Sequence, residues 1–423
     1  MFRKTHLEAR LLEQIVSYYL KSRDFNGIPV DLLLKKQDHE GIDGLKRLVR
    51  NGLVEVISDA WDNPCIKRLP ARETAKQIEV LEIKPAERAF LYPTQKHMRT
   101  VIHPRLYQNR PFTRLIALAH PQIEPLFFNL SVLERYQSDP RYIFQFDGLD
   151  GRVSITERHY RSRSMGSSDK VILKSFGLGA DAKGQRVAVV FLRYLSALTP
   201  RHQQYWRSHQ IGRKCRVESN YLRRSLFGEW TNGISVYEAF RSELFHINKM
   251  CGLIGLPTLF RKDFSDEPPK GFGLLIRPTQ LGYFEFAHTL DKLLSENLNP
   301  QFFEAEGLSL EDRKSREDGT VEVVRKGTLR LLEEWLTKRI KFEVQGGPPK
   351  ILSSIRLVRK IRQNPAHNVL DDEFSISYQR KKERLIRGVY FSISSIRIIF
   401  QSHPCTRNYR FPEHLKLENL VLY

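Results

Sequence analysis

The sequence predicts an α+β multidomain chain in three parts. Residues 1–80 read as a small helical module with a β-element, residues 81–262 as a mixed α+β middle domain, and residues 276–405 as an all-α helical bundle, followed by a tail at 406–423. Three observations predict this. The 423 residues exceed what one core of roughly 100–200 residues holds. Strand-like runs fade beyond residue 263, where apolar residues recur at helical spacing instead. Between the two regimes, residues 263–273 carry Pro268, Pro269 and Gly271, the composition of a linker.

Composition bounds the function. Lys and Arg number 69 against 48 Asp and Glu, a formal net charge of +21, and the sequence pI is about 9.8. Such a balance points to a polyanionic partner, nucleic acid before an anionic membrane surface, with a merely solvated basic surface as the ordinary alternative. Hydrophobic content of 41% supplies real cores, and a charged fraction of 28% argues against wholesale disorder. No apolar run approaches the ~18 residues of a membrane span, and no apolar signal core follows Met1-Phe2-Arg3-Lys4. The expectation is therefore no membrane partner. Cys65, Cys215, Cys251 and Cys405 lie far apart and form no CxxC, so neither a zinc site nor a disulfide framework is expected. No metal or other cofactor is expected, and a reducing, cytoplasmic setting fits best.

In the N-terminal module, Leu7, Leu11, Ile15, Tyr18 and Tyr19 put one apolar face on a helix over 6–21. Asp24-Phe25-Asn26-Gly27 is a turn, and Pro29 suits the first turn of a second helix over 29–36. Ile42, Leu45, Leu48 and Val49 define a third helix over 39–51, ended by Asn51-Gly52. Residues 54–57 then read as a strand and 65–69 as its hairpin partner. Three helices followed by a β-hairpin resembles a winged helix. The third helix of that fold commonly enters a DNA groove, and here Asp43, Lys46, Arg47 and Arg50 occupy its polar face. Lys46, Arg47 and Arg50 are thus candidate phosphate contacts, with DNA as a candidate partner. A protein–protein or dimerisation role stands equally beside that reading.

The middle domain has Pro-rich joints from Pro85 to Pro125 and a helix expected over 126–136. Residues 142–146 and 152–155 read as strands joined by the turn Asp147-Gly148-Leu149-Asp150-Gly151, and 170–177 and 186–192 as two more. Gly177-Leu178-Gly179-Ala180 is not followed by the residues of a nucleotide-binding fingerprint, so no nucleotide site is expected there. His202, Tyr205, Trp206, Arg207, Arg213, Tyr221 and Arg223 mix aromatic and basic side chains. That mix suits base stacking with phosphate contacts, or the core face of an amphipathic helix. Residues 236–250 read as a helix.

The C-terminal third reads as four long helices over 280–298, 320–342, 349–362 and 378–403, with a charged loop at 307–319. Between the last two helices stands Arg362-Gln363-Asn364-Pro365-Ala366-His367. An Arg precedes a His at similar spacing six times: Arg114 with His120, Arg152 with His159, Arg241 with His246, Arg362 with His367, Arg397 with His403, and Arg407 with His414. The spacing alone is therefore weak, and position decides. Only Arg362 and His367 lie between two long helices. Asn364 is a good N-cap and Pro365 a good first helical residue, so His367 would sit in a first turn where free N–H groups favour a phosphate.

A helical bundle with an R-x4-6-H motif before its last long helix resembles a HEPN domain (higher eukaryotes and prokaryotes nucleotide-binding) over residues 276–405. The resemblance implies a metal-independent endoribonuclease of a bacterial toxin or antiviral-defence type, acting on RNA as a homodimer. The RNA 2′-OH would attack its own phosphate, with His367 as general base or acid and Arg362 stabilising the phosphorane. Asn364 joins these as a candidate catalytic residue, and Arg359 and Lys360 as RNA contacts. One position departs from the pattern: active members usually carry Asn, Asp or His after the motif Arg, and here Gln363 stands there. Two other readings remain open, a non-catalytic RNA-binding or dimerising bundle and an ordinary helix-capping pair. A non-enzymatic nucleic-acid-binding regulator led by the N-terminal module is the competing reading for the whole chain.

Overall fold

The computed structural model describes residues 2–34, 38–58, 66–67, 70–83, 89–146, 148, 150–163, 166–228, 234–266, 269, 271–315, 317, 320–339, 347–363, 371–412, 415 and 420–421. The chain is a mixture of helix and strand divided into two compact units, Met1–Gln145 with Asp150–Thr231, and Asn232–Tyr423 with Phe146–Leu149.

The first unit opens with α1 (Phe2–Lys21), β1 (Ile28–Pro29), α2 (Val30–Leu33), α3 (His39–Arg50), β2 (Val54–Ile57), α4 (Thr74–Glu82) and β3 (Phe90–Pro93). Asp38 caps α3 by accepting a 2.8 Å hydrogen bond from the Gly41 amide. Leu11 and Ile15 of α1 meet Leu45 and Leu48 of α3 and Leu91 of β3 in one core. The strands form an antiparallel sheet of order β1-β3-β2, with Leu91 opposite both Ile28 and Val56. The hairpin partner expected at 65–69 is therefore replaced by Phe90–Pro93, and the described residues of that stretch, Ile66 and Lys67, lie outside any strand. The cause is packing. Leu91 and Tyr92 are completely buried, whereas Lys67 turns inward as a cation, pairing with Glu55 and donating to the Ala119 carbonyl at 2.9 Å.

The same unit continues with α5 (Gln95–Val101), α6 (Pro111–Ala117), β4 (Pro125–Asn129), α7 (Glu134–Ser138), β5 (Tyr142–Phe146), β6 (Asp150–Ile155), α8 (Glu157–Arg161), β7 (Ile172–Asp181), β8 (Arg186–Phe191), α9 (Leu192–Ser196), α10 (Pro200–Ser208), β9 (Cys215–Val217) and α11 (Ser219–Phe227). A six-stranded sheet runs β4-β8-β7-β6-β5, with β9 also on β7. The helix expected over 126–136 is instead strand β4, a 3-10 turn over Leu130–Leu133 and the short α7. Phe128 sits opposite Ala188, so the apolar β8 takes β4 as its neighbour and tertiary pairing overrides local helix preference. The glycines of β7 have a packing reason. A Cβ on Gly177 would lie 2.2 Å from the buried Tyr221 ring, and one on Gly179 would lie 2.5 Å from the Arg216 carbonyl oxygen of β9.

The second unit holds β10 (Ile234–Ser235), α12 (Val236–Ile254), α13 (Gln280–Leu293), α14 (Pro300–Ala305), β11 (Glu311–Ser315), β12 (Val321–Arg325), α15 (Thr328–Arg339), α16 (Gly347–Gln363), α17 (Ser377–Gln401) and β13 (Leu420–Val421). Phe240, Leu244 and Ile247 of α12 share a core with Leu290 of α13, Leu332 of α15, Ile355 of α16 and Ile386 and Ile393 of α17. The unit starts at Asn232, ahead of the linker expected at 263–273. Phe272 is buried in the same core as α12 and α17, and the described residues of that stretch form no helix or strand.

The expectation of an all-α third also needs correction. Residues 311–315 and 321–325 form an antiparallel hairpin with Arg313 opposite Val323, and helix α15 starts only at Thr328. The sequence Glu311-Asp312-Arg313-Lys314-Ser315 has little strand propensity, and the hairpin is largely solvent-exposed, so no buried alternation marks it. The segment expected as a tail is anchored as well: Leu415 is buried, and β13 pairs in parallel with β10. Among the described residues no helix is long and apolar enough to cross a membrane.

Candidate functional site

Helix α16 buries Leu352, Ile355, Val358 and Ile361. This stripe presses one face inward and brings Arg362 to the helix edge beside α13. The Arg362 guanidinium donates through Nη1 to Asp291 and to Glu296, the latter at 2.6 Å. Asp291 is 1% exposed and also accepts from the Ser295 hydroxyl. Hydrogen bonding to Asp291, aided by Glu296, holds the guanidinium more firmly protonated than a free arginine. Arg362 thus ties the end of α16 to α13 by a partly buried salt bridge. Asn364 and His367 lie outside the described residues. Gln363 is the exposed last residue of α16, and Arg359 and Lys360 are exposed one turn earlier.

The charge of this unit gathers on its last two helices. From residue 344 to residue 370 the sequence has no Asp or Glu, and Lys350, Arg356, Arg359, Lys360 and Arg362 all fall there. On α17, Arg380, Arg384 and Arg387 are exposed at i, i+4 and i+7, which places them on one helix face. The same meridian continues to Phe391 and Ile398, each 53% exposed. At 1.5 Å per residue the row from 380 to 398 spans about 27 Å. Among the described residues these three arginines have no ionic partner. The nearby acids have partners of their own: Glu383 on α17 accepts from Gln379 at 3.5 Å, Asp372 from the Leu281 amide at 2.9 Å and Glu373 from the Tyr378 hydroxyl at 2.7 Å. The two helices approach closely at Ser354 and Gly388, where a Cβ on Gly388 would sit 2.6 Å from the Ser354 hydroxyl.

Behind this face lies a buried ionic cluster. Glu243 of α12 is 0% exposed and accepts from Arg397 at 2.7 Å and from the Tyr390 hydroxyl at 3.3 Å. Burial pushes the Glu243 carboxyl up to about 7, against the pull of Arg397. Arg397 also donates to Gln401 at 2.7 Å and lies over the Phe411 ring at 4.0 Å. The pairing of Arg241 with His246, another match to the motif spacing, separates in space: Arg241 donates to the Phe264 carbonyl and His246 meets the Tyr409 hydroxyl.

In the first unit the candidate cations of α3 are largely neutralised. Lys46 pairs with Glu82 at 3.0 Å and Asp43 at 3.7 Å, and Arg47 pairs with Glu8. Only Arg50 of the three is exposed without an ionic partner among the described residues. The aromatic–basic segment divides between core and surface: His202, Trp206 and Tyr221 are completely buried, while Arg207, Arg213 and Arg223 are exposed. His202 Nδ1 meets the Tyr136 hydroxyl at 2.7 Å and Nε2 meets Asp169 at 3.4 Å, while Trp206 donates to Tyr136 at 3.0 Å. Burial, with Arg135 nearby, pushes His202 down to about 4. Its folded value lies below the unfolded 6.5. The neutral ring therefore stabilises the fold above about pH 6.5, and that contribution is lost as pH falls through about 4. Hydrogen exchange of α10 should accelerate over that range, and His202→Gln should flatten the dependence.

Comparison of the chain with protein-family models, with curated proteins and with solved structures finds no match. The site is therefore read from its own geometry. The α17 row is the feature that the motif search passed over. Its signal was present in the sequence as basic residues at i, i+4 and i+7 on a helix whose other side is apolar.

Proposed function

We propose that this protein binds single-stranded RNA along the exposed face of α17, with the acid-free α16 beside it. The observation that carries the reading is the row Arg380, Arg384, Arg387 and Phe391, cations followed by an aromatic platform on one helix face. Phosphates pair with such a row and an unstacked base lies on such a ring. RNA is preferred to DNA on the resemblance of the helical C-terminal unit to HEPN domains. The test is fluorescence anisotropy with labelled single-stranded RNA, DNA of the same sequence and anionic vesicles. Arg380→Gln, Arg384→Gln and Arg387→Gln combined are expected to weaken RNA binding tenfold or more with the fold retained. Unchanged affinity, or binding to vesicles alone, would remove the reading.

A second reading adds cleavage. It is favoured by Arg362, which closes α16 immediately ahead of the segment bearing His367, the place the HEPN motif takes. The ribose 2′-oxygen would attack the adjacent phosphorus and the 5′-oxygen would leave, with His367 moving a proton and Arg362 exchanging its carboxylates for the phosphate. DNA, lacking the 2′-OH, would bind without being cut. A dimer would bring two copies of the pair together.

The N-terminal module contributes differently. The order α1-β1-α2-α3-β2-α4-β3 with sheet order β1-β3-β2 supports the winged-helix reading in its three helices and three-stranded sheet, with α4 inserted between the two strands of the wing. With Lys46 and Arg47 held by Glu82 and Glu8, α3 suits a protein or dimer contact better than a DNA groove.

A further inference from the structure

We infer that a cavity flanking the C-terminal half of α17 is a subsite for one unstacked nucleotide of the bound strand. This rests on the RNA reading and extends it from a track to a defined pocket. The cavity encloses about 830 Å³, a size suited to a small ligand. Its lining includes Phe391, Ser395, Arg397, Gln401, Tyr409 and Arg410. Phe391 belongs both to this lining and to the basic row, so a strand following Arg380, Arg384 and Arg387 reaches the cavity mouth without leaving the helix face.

The two sides of the pocket differ in chemistry, as the two ends of a nucleotide do. Phe391 and Ile398 offer apolar surface on which a base can lie. Arg410 is exposed at the rim, and among the described residues it has no ionic partner, which fits a phosphate. Deeper in, Arg397 is held before any ligand arrives. Glu243 fixes its Nε, Gln401 its Nη1, and Phe411 its plane, while Nη2 keeps no hydrogen-bond partner among the described residues. A guanidinium fixed in this way loses little freedom on binding an acceptor on the base edge or sugar. Around the same volume the Ser395 hydroxyl donates to the Phe391 carbonyl at 2.8 Å, the Tyr409 hydroxyl meets His246 and the Gln401 carbonyl oxygen accepts from Arg397, which leaves the Gln401 amide nitrogen as a donor and the Ser395 hydroxyl oxygen as an acceptor. A wholly apolar ligand would leave Arg410 and the Nη2 of Arg397 without an acceptor, and a bare phosphate would leave Phe391 and Ile398 uncovered. A nucleotide satisfies both walls.

The experiment uses the full chain and a single-stranded RNA carrying one 2-aminopurine, whose fluorescence rises when the base leaves its neighbours. Phe391→Ala and Arg410→Gln are compared with wild type, with the three arginines of the row intact. Wild type should bind with a rise in fluorescence. Phe391→Ala should lose that rise and bind about tenfold more weakly with its salt dependence unchanged. Arg410→Gln should weaken binding and reduce the salt slope by about one phosphate contact. RNA binding that depends on the arginine row but is untouched by either variant overturns the subsite and leaves the RNA reading standing. Absence of RNA binding by wild type overturns both. If Phe391→Ala dissolves a dimer without altering RNA affinity, the face belongs to a second copy of the chain and the subsite is overturned.

Discussion

Replacing Arg397 by Met is expected to destabilise the second unit by up to about 3–5 kcal/mol at pH 8, where Glu243 would otherwise be ionised, the usual consequence of stranding a buried charge, and by less at pH 5, where Glu243 is neutral. Glu243 has no exposed surface, and without Arg397 its remaining side-chain partner is the Tyr390 hydroxyl at 3.3 Å. Two features make this more than a packing test. Glu243→Gln on the same background should recover much of the loss, because it removes the charge that was stranded. The pH dependence should also have a definite sign. The Glu243 carboxyl stands at about 7 in the folded protein against 4.5 in the unfolded chain. Its contribution is therefore complete below about pH 4.5 and is lost as pH rises through about 7, amounting to about 3 kcal/mol. Hydrogen exchange in α12 and α17 at pH 5 and pH 8 reads this directly. His202 in the first unit has the opposite sign, so the two units should respond to pH in opposite directions.

The second large effect concerns Arg362. Its removal leaves Asp291, 1% exposed, without a cation. Because Arg362 itself is about one-third exposed, the cost falls below the full buried-pair value, at about 2–3 kcal/mol. For a unit of this size that corresponds to a Tm decrease on the order of 8 °C. Loss of RNA cleavage in Arg362→Ala would then report weakened structure as well as lost chemistry. His367→Ala separates the two: under the cleavage reading it abolishes product formation while RNA affinity and Tm stay at wild-type values. Asp291→Asn gives the complementary check, loosening Arg362 from its carboxylates without removing it. An Arg362→Ala protein as stable as wild type would show that the salt bridge is not what holds α16 to α13.

The large helices were legible in the sequence because they combine length with a sustained 3.6-residue period. Residues 236–250, 349–362 and 378–403 anticipate α12, α16 and α17 to within a few residues at each end. The sheet strands at 142–146, 170–177 and 186–192 were legible for the analogous reason, alternation or a bounded apolar run. Two of the failures share a cause, pairing decided at a distance. Leu126 and Phe128 look helical until β8 is known to lie beside them. Residues 65–69 look like a hairpin partner until Leu91 and Tyr92 are seen to fill the core. The hairpin at 311–325 fails for a different reason: Val321, Val323 and Val324 are β-branched, but they are exposed and follow the strongly charged strand Glu311–Ser315, so no buried face marks the pair.

The site was legible in a different way. A motif search finds residues by spacing along the chain, and it found Arg362. It could not see that Asp291, 71 positions earlier, claims that guanidinium. It also treated Lys46 and Arg47 as free cations, when their partners Glu82 and Glu8 are remote in sequence. The α17 row needs no remote partner to be recognised, because Arg380, Arg384 and Arg387 follow one another at helical spacing within a single helix.

The salt dependence of binding tests the central claim most directly. Affinity for single-stranded RNA should be measured from low to high salt for wild type and for the combined Arg380→Gln, Arg384→Gln and Arg387→Gln protein. If α17 tracks the phosphate backbone, the logarithmic slope of the variant should be shallower by about 2, the share of three phosphate contacts on a single strand. Equal slopes in the two proteins would contradict the account, because they would mean that RNA phosphates do not meet α17.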